Sequence, residues 1–83
     1  MGSVAKSVIS VLVVSADGVV FEGPATSLIV PGEQGTFEIL PLHRPLVSRL
    51  LSGTMAIDGR SVSIRRGAIR VADDIVTAIV ELR

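Results

Sequence analysis

Eighty-three residues make room for one domain, and eight basic residues balance eight acidic ones for a formal net charge of zero. With only two phenylalanines as aromatics, the chain has neither the basic footprint that phosphates require nor a stacking platform for single strands, so no nucleic-acid partner is expected. Cysteine is absent, which excludes disulfides and thiolate metal sites, and with 48% hydrophobic residues, nearly all aliphatic, stability has to come from aliphatic packing.

Residues 1–7 lack the apolar core of a signal peptide and read as a frayed N-terminus. Val8 to Val14 is the first β-type run, and Asp17-Gly18 marks a turn. Its segment Val11 to Val14 is the longest apolar run, far short of the roughly 20 residues that cross a bilayer. A soluble, intracellular chain is expected, reaching a membrane only through partners. Val19 to Glu22 is ended by Gly23-Pro24, and Ala25 to Val30 by Pro31-Gly32. Thr36 to Leu40 follows the turn-prone Gly32-Glu33-Gln34-Gly35 and stops at Pro41.

His43 and Pro45 lie in a segment that prolines keep out of helix. Leu46 to Leu51 is a short apolar run closed by Ser52-Gly53. Thr54 to Ile57 and Ser61 to Arg65 flank Asp58-Gly59, a two-residue hairpin signal. Ala68 to Val71 and Ile75 to Leu82 close the chain around Asp73-Asp74. This spacing predicts an all-β fold: one small flattened β-sandwich or barrel of roughly eight to ten short strands, spanning residues 1–83.

No set of residues composes an active site. His43, the only histidine, has neither the nucleophile and carboxylate of a catalytic triad nor the co-ligands of a zinc site. Asp73-Asp74 fits a solvated turn better than a cation site. Arg65-Arg66 beside Gly67 reads as a hairpin end rather than an anion contact. The Gly32 to Gly35 loop lacks the Lys-Ser/Thr and the helix of a phosphate-binding loop, but suits a polar contact element. No catalytic residue, cofactor or metal is expected. The apolar excess instead suggests that part of the surface faces a partner.

The order Val30-x-Gly32-x-x-Gly35-x-x-x-Ile39-x-Pro41-x-His43-x-Pro45-Leu46 resembles the N-terminal β-sandwich domain of the ε subunit of F-type ATP synthases. From Ile9 onward most of the chain follows that pattern. Val14 to Gly18 with Val20-Phe21-Glu22-Gly23 resembles the family's opening, and Gly67, Ile69, Val71 and Val76-Thr77 its closing strands. The chain departs at Leu42, where the family usually has glycine, and at Arg44, Ser52, Arg66 and Arg70.

The resemblance implies a non-catalytic central-stalk subunit that binds γ and the c-ring and couples ion-driven rotation to ATP synthesis. It would sit peripherally on the cytoplasmic face of a bacterial plasma membrane, attached through the complex. Carried over by position, Glu33, Gln34, Gly35 and Thr36 are expected at the c-ring, and Pro41, His43, Arg44, Pro45 and Ser48 toward γ. Family members usually continue into an inhibitory pair of helices, which this chain is expected to lack. The alternative from another class is a free-standing β-sandwich adaptor for a peptide or small ligand. Lys6, the sole lysine, lies in the frayed N-terminus rather than on a hairpin tip, which argues against a carrier domain.

Overall fold

The computed structural model describes residues 8–83; the expected fraying of residues 1–7, and Lys6 with it, lies outside them. Eight strands occur in chain order: β1 (Ile9–Ser15), β2 (Gly18–Ala25), β3 (Leu28–Gly32), β4 (Gly35–Ile39), β5 (Leu46–Leu50), β6 (Gly53–Ile57), β7 (Arg60–Ala72) and β8 (Ile75–Leu82). All join one hydrogen-bonded sheet ordered β2-β1-β8-β7-β5-β3-β4, with β6 pairing both β3 and β7. The sheet folds over a single aliphatic core to which every strand contributes, from Ile9 on β1 to Val80 on β8. Among the described residues no polar side chain is buried, so the core rests on aliphatic contact alone.

Alternation decides which side chains enter that core. On β1, Ile9, Val11 and Val13 point inward; on β8, Val76, Ala78 and Val80 do. These two strands pair in parallel, Val11 opposite Val76 and Val13 opposite Ala78, so the two ends of the chain zip together. No hairpin signal foretells that pairing, because parallel partners are distant in sequence.

Two expectations are corrected by edges and bulges. Gly23-Pro24 does not end β2, which runs on to Ala25. β2 is an edge strand, and proline's missing N–H is tolerated there because no neighbour needs it. Arg65-Arg66 is not a hairpin end but lies inside the 13-residue β7. Against β8, Ile64 pairs with Leu82 and Arg66 with Glu81, which leaves Arg65 as an extra residue. The insertion flips the alternation: Ile64 faces the core before it, Ile69 and Val71 after it, and both arginines face solvent. The first part of β7 pairs β6 and the later part pairs β5, so the bulge marks the strand's passage from one layer to the other. Closure on the other side comes from Gly32 opposite Leu50 and from the Leu51 amide donating to the Pro31 carbonyl at 2.8 Å.

Candidate functional site

The two groups of residues expected to meet partners come together. Glu33, Gln34, Gly35 and Thr36 from the β3–β4 turn, and His43, Arg44, Pro45 and Ser48 from the approach to β5, line one open concavity of about 700 Å³. Pro41 stands outside it. The turn is held in shape from within. Gly35 adopts φ +113°, open to glycine alone, and a Cβ on Gly32 would lie 2.6 Å from the Phe37 ring. Arg49 on β5 reaches Glu33 Oε2 at 3.4 Å, an exposed pair that ties the turn to the neighbouring strand. His43 Nδ1 lies 2.7 Å from the Arg44 carbonyl oxygen, which can only accept, so the contact places a proton on that nitrogen. Among the described residues no nucleophile or carboxylate is bonded to the ring, and no three acidic, histidine or cysteine side chains gather to hold a metal.

Two aspartates shape the loops in ways the sequence does not advertise. Asp58 and Asp73-Asp74 occupy the expected turns, at φ 47°, 52° and 60°. Asp58 accepts from the Thr26 hydroxyl at 2.8 Å, from the Thr26 amide at 3.0 Å and from the Ser27 amide at 2.9 Å. The Thr26 hydroxyl above all, with the Thr26 and Ser27 amides, holds the Asp58 carboxyl below its ordinary 3.8, against a smaller opposing effect of desolvation. Asp74 is not simply solvated: its Oδ1 accepts the Leu42 amide at 2.7 Å, and its carbonyl accepts the Ser10 amide at 2.8 Å.

The largest feature missed from sequence is the outward face of β5, β7, β8, β1 and β2. Cross-strand pairing aligns Arg49, Ala68, Ile79, Val14 and Val19 in one row across all five strands. The next row holds Val47, Arg70, Thr77, Leu12 and Glu22. Val47 is 75% exposed, Ile79 63%, Val19 61% and Ile75, one row further, 58%. A soluble sheet normally puts polar residues on such a face. A usable signal exists in the apolar residues at both parities of Val11 to Val14 and Ile75 to Val80, which mark strands covered on both sides. Val47 joins this face to the concavity, which it also lines.

Residues 8–82 match the family described as "ATP synthase, Delta/Epsilon chain, beta-sandwich domain". The ATP synthase epsilon chain of a Nitratiruptor species is 38% identical over 74 residues, covering 83% of this chain and 57% of the relative. That of Leptospira borgpetersenii is 35% identical over 77 residues, covering 88% and 61%. The chain therefore spans about three fifths of the length of these relatives.

Among solved structures, a chain of Euglena gracilis mitochondrial ATP synthase (OSCP/F1/c-ring, rotational state 1) superposes with TM-score 0.81 at 18% identity, covering 94% of this chain and 53% of that one. A chain from the central stalk/c-ring structure of Tetrahymena thermophila mitochondrial ATP synthase gives 0.74 at 9% identity, covering 88% and 63%. Those likenesses establish the shared fold. The chain belongs to the β-sandwich domain family of ATP synthase delta/epsilon chains.

Proposed function

We propose that this chain is a non-catalytic element of an ATP synthase central stalk, peripheral on the cytoplasmic face of a bacterial membrane, that joins the γ subunit to the c-ring. The outward face of β5, β7, β8, β1 and β2, with its apolar cross-strand row, carries the reading, because none of the described residues covers it. γ would lie on that face and on the adjoining segment Pro41 to Ser48, reached through Val47. The polar turn Glu33 to Thr36, on the other wall of the concavity, would meet the c-ring loops. Adjacent surfaces for a rotor shaft and a ring let one rigid domain transmit torque between them without chemistry of its own. The assignment to γ and the c-ring rests on family membership and on the position of these residues within its motif.

The experiment is gel filtration of the purified chain with the γ subunit of the same organism, both folded. A co-eluting complex at micromolar concentration supports the reading, and separate elution contradicts it.

A further inference from the structure

Leu42 is the one non-aspartate, non-glycine residue at positive φ among those described. It is 87% exposed, the most exposed of the large apolar side chains described, and it sits at φ 69°. Leucine suits that position poorly on both counts. In the left-handed region its Cβ crowds the following carbonyl, and out in solvent its side chain reaches no core. Glycine or asparagine would make the same turn without either penalty. The conformation is nevertheless enforced from outside: Asp74 Oδ1 takes the Leu42 amide at 2.7 Å, and the His43 amide returns to the Leu40 carbonyl at 3.1 Å. Asp74 is in turn anchored to β1 through the Ser10 amide. The fold thus holds an aliphatic side chain outward at a position where it gains nothing from it.

We propose that Leu42 is a specificity-determining anchor that inserts into an apolar recess of γ, presented by the Asp74 clamp. The inference rests on the reading of γ as the partner of the Pro41 to Ser48 segment. Ile75, next to Asp74 and 58% exposed, belongs to the proposed γ face, so the anchor adjoins a surface of matching chemistry. An interface energy concentrated in a few protruding side chains is the usual pattern.

The test separates stability from binding. Leu42→Gly and Leu42→Asn remove the aliphatic group and relieve the backbone, while Leu42→Met keeps an unbranched apolar chain of similar reach. Thermal melting of each variant is compared with its affinity for the γ subunit by titration calorimetry. The expected result is a melting temperature above wild type for Gly and Asn, with affinity at least tenfold weaker. Leu42→Met should bind within threefold of wild type. Wild-type and Gly variants that bind γ equally overturn the anchor and leave the stalk reading standing. A Gly variant that melts below wild type also overturns it, since the fold would then depend on Leu42. Wild-type chain that fails to bind γ overturns the stalk reading itself, and the anchor with it.

Discussion

Asp58 and Thr26 lie 32 residues apart and are joined by three contacts, two from the Thr26 amide to both carboxylate oxygens and one from its hydroxyl to Oδ1. The β6–β7 turn is thereby pinned to the β2–β3 connection, at the end of β3 away from Glu33. Thr26 donates through both its amide and its hydroxyl, and the ionised Asp58 carboxylate accepts these bonds more strongly than the protonated acid does.

A pH dependence follows, with a definite sign. The folded carboxyl titrates below its ordinary 3.8, so its contribution to stability is complete above that value and disappears as pH falls through the lower folded one. Asp58→Asn tolerates the left-handed backbone but cannot carry the charge. The melting temperature of wild type should exceed that of the variant at pH 7, and the gap should close as pH drops below about 3.8. An equal gap at pH 7 and at pH 3 would mean that the charge on Asp58 contributes nothing.

Gly67 tests a close approach rather than a strained turn. A Cβ there would lie 2.6 Å from the Ile79 carbonyl oxygen and 3.0 Å from Val80 Cγ1. Backbone on the facing strand cannot move aside as a side-chain tip can. Gly67→Ala should cost about 1–3 kcal/mol, as overpacking does. A denaturant midpoint unchanged from wild type would show that β7 and β8 can separate at no cost.

The bulge at Arg65 makes the sharpest structural test. Deleting Arg65 leaves Ile64, Ile69 and Val71 in one unbroken alternation on the core side, but removes the bulge at which β7 leaves β6 and passes to β5, so the strand loses the kink that carries it between the layers. The deletion variant should fail to fold cooperatively. Glu81→Gln, which only weakens exposed contacts of 3.8 and 3.4 Å to the two arginines, should change stability by less than about 1 kcal/mol. A well-folded deletion variant would mean that β7 passes between the layers without the bulge.

The bulge is also where sequence reading reached its limit. Inward residues at even positions, Val62 and Ile64, followed by odd ones, Ile69 and Val71, look like two strands with a break at Arg65-Gly67. A single inserted residue produces the same pattern, and only the neighbouring β8 distinguishes them. Turns were legible because their chemistry is local: Asp17-Gly18, Asp58-Gly59 and Asp73-Asp74 all fall where expected. The parallel β1–β8 ladder and the Asp58 and Asp74 clamps were not, since each depends on partners far along the chain. As for the candidate site, its residues could be named, but not that the Glu33 and His43 segments share a concavity.

The orientation of the domain can be checked by cross-linking in assembled enzyme. A cysteine at Gln34, on the exposed β3–β4 turn, should cross-link to the polar loops of the c-ring. One at Ser61, exposed near the opposite end of the molecule, should not. Cross-linking from Ser61 alone would mean that the domain sits the other way up.

Whether the uncovered sheet face is the γ-binding surface is tested most directly by a charge placed at its centre. Ile79 is 63% exposed on the middle strand of the face, so Ile79→Glu leaves the core untouched. Titration of γ into wild type and into this variant, with melting curves for both, measures binding and folding separately. The account predicts that melting is shifted by only a few degrees while affinity for γ falls at least tenfold. Equal affinity of the two folded proteins for γ would contradict it.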